Sequence, residues 1–332
     1  MRVGVFGAGA IGCTIAARLA HGGHEVRLVG RARIREGLAE GVTLTRWGES
    51  PVHVPPDALR FVDDATELVG CDVVALTVKT ADTESAAREL CEALPADVPL
   101  VSLQNGVDAI DALRRVAGSR PTWPGMVPFN IVWFDAATLH QGTSGPVVLP
   151  QEAEALANAL RAGGCPARSH RDVRAVQWGK LLLNLNNAVN ALSGLPLREQ
   201  LSDAGYRRIL SDVIREGQAI LRVSGIRSRG VGRIQPHLAP WVLRLPDLLF
   251  FRVASAMIAI DPAARSSMQD DLARGRPTEV DGLNGTLVRL GEAHGHPAPL
   301  QRRLVQLVHE AEGADAPPRW HAADLARALY QP

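Results

Sequence analysis

The chain has little of what several large functional classes require. Aromatic residues make up 4% of its 332 positions, too few for the stacking platforms on which single-stranded nucleic acids lie. The formal net charge is +1, so no basic surplus draws it to nucleic acid or to an anionic membrane. The four cysteines, Cys13, Cys71, Cys91 and Cys165, are scattered, with no CxxC pair and no histidine at zinc-ligand spacing. That argues against a disulfide framework or a metal cluster. Cys13, inside the first predicted helix, reads as a small packing residue. The longest apolar run, Leu248 to Ile260, is interrupted by Arg252 and is too short to cross a bilayer. Met1-Arg2-Val3-Gly4-Val5-Phe6 has neither the apolar stretch nor the cleavage site of an export signal. A cytoplasmic protein with no nucleic-acid and no membrane partner is expected, and a homodimer is left open. The ten histidines show no Ser/His/Asp order and none is assigned a role.

Among charged residues the scarcity is of lysine. Of 36 basic residues only Lys79 and Lys180 are lysine; the other 34 are arginine. Arginine supplies charge but does not release a proton near neutral pH, whereas a partly buried lysine can. Lys180 lies in Trp178-Gly179-Lys180-Leu181-Leu182-Leu183-Asn184-Leu185-Asn186-Asn187, a helix too apolar to sit on a surface. Lys180, Asn184 and Asn187 recur at i, i+4 and i+7 and therefore line one stripe. Leu181, Leu182, Leu183, Leu185, Val189 and Leu192 cover the rest.

What is present otherwise is ordinary: 46% hydrophobic and 21% charged residues, enough for two domains or one large one with ample core. Residues 2–6 form a short β run, followed by Gly7-Ala8-Gly9-Ala10-Ile11-Gly12, a helix to about Ala20, and a second strand over 24–29. This is GxGxxG with a strand before it and a helix after it, as a dinucleotide site requires. Gly7 makes the tight turn, Gly9 lets a pyrophosphate approach the backbone, and Gly12 lets helix pack on strand. The phosphates would sit on the free N–H groups at the start of that helix, at Ala10, Ile11 and Gly12. The end of the second strand selects the cofactor. A carboxylate there would hold the ribose hydroxyl of NAD, but the chain reads Gly30-Arg31-Ala32-Arg33. An arginine can fork onto a 2′-phosphate, so NADP(H) is favoured, with Arg31 first and Arg33 second.

Residues 41–54 and 59–62 suggest small additional strands. Asp72 to Val78 is a near-continuous apolar run, as expected of a parallel strand buried on both faces. It ends in Lys79-Thr80-Ala81-Asp82, with a helix following to about Leu94. The strand over 99–103 ends in Gln104-Asn105-Gly106. The glycine turn, Arg31, Lys79 and Asn105 thus all fall at carboxyl ends of predicted parallel strands, the edge along which open α/β sheets bind ligands. From Met126 to Leu149 antiparallel strands are expected to close the sheet, a helix follows over 152–162, and the first domain should end near Asp172. After Asp172 the period is helical, with helices expected over 173–193, 203–224, 237–259, 262–274, 278–294 and 298–312. Ser224 to Val231 is a loop. Arg265-Ser266-Ser267-Met268 opens or lies within one helix. Pro277-Thr278-Glu279-Val280-Asp281 begins another, where Thr278 would cap and Glu279 and Asp281 would favour the helix dipole.

In order, GAGAIG at the start, an arginine after the second strand, VKT, QNG, WGKLLLN, SSM and PTEVDGLNG make the chain resemble the ketopantoate reductase (2-dehydropantoate 2-reductase) family over nearly its whole length. The resemblance implies a 6-phosphogluconate-dehydrogenase-like architecture. An α/β N-terminal Rossmann domain, residues 1–172, would bind NADP, and an all-α C-terminal domain, residues 173–332, would hold substrate and catalysis. It implies NADPH-dependent reduction of a 2-oxo acid, ketopantoate to pantoate in pantothenate biosynthesis. By the same resemblance Lys180 is the general acid for the ketone oxygen, and Glu279 is the carboxylate that orients the lysine or the substrate hydroxyl. Lys79 and Asn105 would lie near the nicotinamide and the substrate, Asn184 would bind substrate, and Ser267 would bind its carboxylate. The chain departs from the family at Ala188, where a second substrate-binding asparagine is usual; Asn187 and Asn190 flank it. One residue turns a helix by about 100°, so Asn187 does not simply replace the missing group. The same chemistry on another 2-oxo acid or an imine is the alternative. A non-catalytic NADP(H) sensor is a remoter one, since a sensor would need neither lysine nor Glu279.

Overall fold

The computed structural model describes residues 1–230, 235–254, 264–314, 316 and 319–331. The chain divides into two compact units, Met1–Arg174 and Ala175–Pro332. The strands of the first unit are β1 (Arg2–Phe6), β2 (Glu25–Val29), β3 (Val42–Arg46), β4 (Val52–Val54), β5 (Arg60–Val62), β6 (Val73–Leu76), β7 (Leu100–Ser102), β8 (Thr122–Pro124), β9 (Ile131–Trp133), β10 (Thr138–Gln141), β11 (Val147–Leu149) and β12 (Ala167–Ser169). Its main helices are α1 (Ala10–His21), α2 (Ala32–Gly37), α3 (Thr83–Ala93), α4 (Asp108–Ala117) and α5 (Glu154–Ala162).

Six strands form one parallel sheet in the order β5-β2-β1-β6-β7-β8. β6 shows why its sequence has no polar alternation. Val73 and Ala75 enter the core built with Ile15 and Leu19 of α1 and Leu156 and Leu160 of α5. Val74 and Leu76 enter the opposite core, with Leu90 of α3 and Ile110 and Leu113 of α4. A strand covered by helices on both faces has no solvent side to offer a polar residue. From β1 the chain moves outward to β2 on one side and returns to β6 on the other, so the strand order reverses between β1 and β6. A sheet of this kind opens a crevice there, at the carboxyl ends of the strands.

The expectation that antiparallel strands close this sheet is overturned. Its edge strand β8 is parallel to β7. β9 and β10 are antiparallel to each other but join β3 and β4 in a separate four-stranded sheet, β10 lying parallel to β3. β11 pairs in parallel with β12, and a single antiparallel bridge links Met126 to Val148. Alternation and turn residues announce a strand locally; its partner, here from a distant part of the chain, is a non-local choice.

The second unit is helical. The helix expected over 237–259 is instead two short ones, Ala239–Leu243 and Asp247–Val253, while residues 255–259 lie outside the described residues. Pro246 separates the two: a proline has no N–H to continue a helix but suits the start of one. The helix expected over 262–274 is Ser267–Ala273, its first two expected positions lying outside the described residues. Leu197–Ser202 is a helix that the sequence pattern did not suggest.

Candidate active site

The three motif glycines have different physical jobs. Gly7 has φ +116°, and a Cβ on it would stand 2.8 Å from the backbone nitrogen of Val78. A Cβ on Gly12 would stand 1.9 Å from the Gly7 carbonyl oxygen and 2.5 Å from Thr77 Oγ1. Both glycines are therefore demanded by the packing of turn, helix and β6. At Gly9 a Cβ would meet nothing nearer than Thr77 O at 4.0 Å. Packing alone therefore does not require that glycine. Gly9 is also the N-cap of α1, with no side-chain capping bond and no acidic residue in the first turn. The first N–H groups of α1 are thus not satisfied by a cap, and the helix dipole there favours an anion.

The neighbouring strand ends complete this edge. A Cβ on Gly30 would lie 2.2 Å from the Ala8 Cβ, so the chain leaving β2 runs directly against the glycine turn. Arg31 follows as the N-cap of α2; it and Arg33 are exposed. Lys79, after β6, is exposed, and Asn105, after β7, is half-buried. A residue that sequence reasoning passed over joins these two loops. Gln104 is buried; its Nε2 donates to Val78 O at 3.0 Å and to Thr83 Oγ1 at 2.7 Å, and its Oε1 accepts from Ser102 Oγ at 3.0 Å. The available signal was an amide directly after an apolar buried strand, where an unpaired polar group would be costly.

In the second unit the stripe survives. α6 (Val173–Asn184) and α7 (Asn186–Ser193) are separated only by a break at Leu185. Lys180, Leu183, Asn184 and Asn187 are half-buried, whereas Leu181, Leu182, Leu185, Ala188, Val189 and Leu192 are buried. Burial pulls the Lys180 ammonium down from 10.5 to about 8, against the opposing pull of the Glu279 charge. Gly179 explains part of that burial. A Cβ there would stand 1.9 Å from Arg229 O, and Arg229 N donates to Ala175 O at 2.8 Å. The loop after the long helix Ala204–Val223 thus lies on the turn that carries Lys180. A glycine inside an apolar helix is the sequence sign of such an approach.

Glu279 occupies the N-cap position of the helix Val280–Ala293, yet its carboxylate makes no capping bond. Thr278 Oγ1 accepts from Val280 N at 3.3 Å instead. Glu279 thus stands at the helix start as its local sequence suggests, and its charge also opposes the lowering of the Lys180 pKa. Ser266 is the N-cap of Ser267–Ala273, its Oγ accepting from Gln269 N at 3.2 Å and donating to Asn187 O at 3.4 Å. Ser267 is the first helical residue and is half-buried. The Ser266 N–H donates to Asn190 Oδ1 at 3.0 Å, while Asn190 Nδ2 donates to Leu195 O at 2.9 Å and Gln200 Oε1 at 3.2 Å. Gln200 in turn donates to Asn186 Oδ1 at 2.8 Å. This buried amide network, unassigned by sequence reasoning, ties Ser266-Ser267 to the asparagine end of the stripe. Ala188 is fully buried, so the position that departs from the family faces the core.

One unit therefore gathers the glycine turn, Arg31, Lys79 and Asn105 along a sheet edge. The other gathers Lys180, Asn184, Asn187, Ser267 and Glu279 around one helix stripe. Among the described residues no group of three or more His, Cys, Asp or Glu could hold a metal ion, and no helix is long and apolar enough to cross a membrane.

One unit has a glycine-turn sheet edge of the dinucleotide-binding kind and the other is helical with a half-buried lysine; these are parts an oxidoreductase uses, and oxidoreductase is the class of this protein. Two family models cover most of it, Ketopantoate reductase PanE/ApbA over residues 3–154 and Ketopantoate reductase PanE/ApbA C terminal over residues 172–312. The chain belongs to the ketopantoate reductase family. It is 28% identical to a 2-dehydropantoate 2-reductase of Archaeoglobus fulgidus, over 94% of this chain and 98% of the relative. It is also 28% identical to that of Mycobacterium tuberculosis, over 95% and 98%. Among solved structures, a PanE/ApbA family ketopantoate reductase from Ralstonia eutropha superimposes with a TM-score of 0.78 at 31% identity, covering 94% of this chain and 98% of that one. D-Mandelate dehydrogenase, in a ternary structure with NADH and anilino(oxo)acetate, shares the fold with a TM-score of 0.77 at 21% identity, over 94% and 98%.

Proposed function

We propose that the protein reduces a 2-oxo acid to the 2-hydroxy acid with NADPH, ketopantoate to pantoate being the reaction of first choice. The observation that carries this reading is the pairing of a lysine lowered to about 8 with the charge of Glu279. Such a lysine is protonated at neutral pH yet close enough to its pKa to give the proton away. The relatives named 2-dehydropantoate 2-reductase, matched end to end, supply the substrate.

The glycine turn fits a dinucleotide: the side of Gly9 is open, α1 starts without a competing carboxylate, and Arg31 and Arg33 offer guanidinium groups where a 2′-phosphate would lie. When bound, the nicotinamide supplies the hydride that reaches the ketone carbon. The protein's share is the other half of the addition. As the carbonyl oxygen gains negative charge, the Lys180 ammonium stabilises it and then delivers a proton to it, leaving a neutral amine and a hydroxyl group. Glu279 keeps that ammonium protonated until the charge develops. Asn184 and Asn187 present amides to the substrate from the same stripe, Ser267 offers its hydroxyl to the carboxylate, and Lys79 and Asn105 hold the cofactor end. The core-facing Ala188 supports a second reading, the same reaction on a different 2-oxo acid, and the fold shared with D-mandelate dehydrogenase is compatible with it.

The test is turnover of NADPH and NADH with a panel of 2-oxo acids that includes ketopantoate and benzoylformate. Ketopantoate turnover at ordinary enzyme rates is expected. Turnover confined to other acids selects the second reading, and tight NADPH binding without any turnover would return the protein to the sensor class.

A further inference from the structure

A carboxylate–imidazole–carboxylate chain brackets Glu279. On its amino side, Thr278 N donates to Glu312 Oε1 at 2.7 Å. On its carboxyl side, Asp281 Oδ1 lies 3.2 Å from His309 Nε2. His309 Nδ1 lies 2.8 Å from Glu312 Oε2, so one imidazole joins the two arms. Glu312 and His309 both stand on the helix Pro299–Glu312, and Asp281 in the first turn of Val280–Ala293. The residues immediately before Glu279 and two places after it are thereby tied to a single neighbouring helix. Resting on the reading of Lys180 and Glu279 given above, we propose that His309 and Glu312 are positioning residues for the reaction. They clamp the backbone on both sides of Glu279 and so set the charge that Lys180 feels.

The clamp depends on the protonation of one ring. An imidazolium has two N–H donors and serves both carboxylates; a neutral imidazole has one, and leaves the other carboxylate facing a lone pair. The surroundings favour the charged form. The bond to Glu312 raises the His309 pKa most, burial opposes it, and the bond to and charge of Asp281 add to the rise. Glu312 is itself held below the ordinary carboxylate range, because its bonds with His309 and Thr278 outweigh the upward push of burial. Other charged groups lie on these two helices: Arg302 pairs with Glu292 at 2.7 Å, and Arg289 reaches Asp281 itself. Arg289 donates to Asp281 O at 3.2 Å and to Thr286 Oγ1 at 2.9 Å, and Glu310 pairs with Arg303 at 3.6 Å. α7, which packs on Pro299–Glu312, carries no charged residue. Glu216 of Ala204–Val223 meets that helix at its far end, accepting from Leu300 N and Gln301 N. The helix Ala322–Tyr330 meets it at Arg303, whose Nε donates to Ala328 O at 3.2 Å.

As pH rises through the His309 pKa one arm is lost, Glu279 is held less firmly, and Lys180 gives up its proton more easily. Lysine scarcity makes this directly measurable. Protein labelled with 13C at the lysine Cε positions has two lysine signals, and Lys79→Arg assigns them. The Lys180 midpoint is expected near 8 in the unaltered protein. In His309→Gln and Glu312→Gln it should fall so that proton affinity drops about three- to tenfold. Glu312→Gln keeps an acceptor for Thr278 N–H, so the fold is retained in at least that variant. The alkaline fall of kcat with ketopantoate should move to lower pH by the same amount, with KM little changed. An unmoved Lys180 midpoint in both folded variants, while Glu279→Gln moves it, would overturn the clamp alone. A midpoint indifferent to Glu279→Gln as well would remove the Lys180–Glu279 pairing on which it rests. Absence of turnover with every 2-oxo acid would refute the proposed reaction but leave the titration as the test of the clamp.

Discussion

The carbonyl oxygen of Gly7 stands 1.9 Å from the point where a side chain on Gly12 would begin, and it also accepts from Thr77 Oγ1 at 2.6 Å. At Gly9 the corresponding position is open, with Thr77 O no nearer than 4.0 Å. Two alanine substitutions three residues apart should therefore fail in different ways. Gly12→Ala should cost about 3 kcal/mol of stability or more, because the obstacle is backbone that cannot step aside. Gly9→Ala should melt within about 1 °C of the unaltered protein, since a fraction of a kcal/mol moves a domain of this size by that little. It should nonetheless bind NADPH at least tenfold more weakly. Thermal melts and a fluorescence titration read both; a Gly9→Ala variant with unchanged affinity would remove the pyrophosphate from that turn.

If Lys180 is the proton donor proposed above, Lys180→Ala should lower kcat by about 10²- to 10⁴-fold, the usual range for a positioned acid. Lys180→Arg should do nearly as badly, because it keeps the charge but not the exchangeable proton. In the unaltered protein the rate of reduction should fall tenfold per pH unit above about pH 8. A Lys180→Ala variant within a few-fold of the parent rate would rule out the assignment.

The same lysine has a signature in stability. Its pKa is 10.5 as a free group and about 8 in the fold. Below pH 8 both states hold the proton, and the folded state bears the cost of burying the charge. Between pH 8 and 10.5 the folded state has released a proton that the unfolded chain still binds, so stability rises with pH. Relative to Lys180→Met, the unaltered protein should gain on the order of 2 kcal/mol across that window, a figure reduced for the partial exposure of the side chain. Parallel denaturant titrations at pH 7.5 and pH 10 give the difference, and a constant offset between the two proteins would contradict the lowered pKa.

In the proposed reading, cofactor choice rests on Arg31. Removing one charge-assisted fork should raise KM for NADPH by about 10- to 100-fold in Arg31→Ala and leave KM for NADH nearly unchanged. An equal effect on both cofactors would move the 2′-phosphate contact elsewhere, with Arg33 next in line.

Much of this was readable from the chain alone. The order β1-α1-β2, the glycine turn and the carboxyl-edge positions of Arg31, Lys79 and Asn105 follow from local periodicity, and the polar stripe of Lys180, Asn184 and Asn187 from helical spacing. What escaped was of one kind. The pairing of β10 with β3, the support of Ser266 by Asn190 and Gln200, and the approach of Arg229 to Gly179 each join segments far apart in sequence. Such contacts are decided by packing and leave at most a single-residue trace, an amide after a strand or a glycine in a helix. Glu279 was the intermediate case. Locally it had a sufficient explanation as a helix-start residue, and only its electrostatic reach to Lys180 distinguishes the two roles.

Gln104 spans from the end of β7 to the loop after β6 with a single side chain. Two loops that would otherwise fluctuate separately are thereby made into one element, and most of their disorder is surrendered when the protein folds. A molecule arriving beside Lys79 and Asn105 meets a surface already arranged, and less of its interaction energy is consumed in ordering the host. The tightness of any binding at that edge would be set in part by a residue that need never touch what is bound.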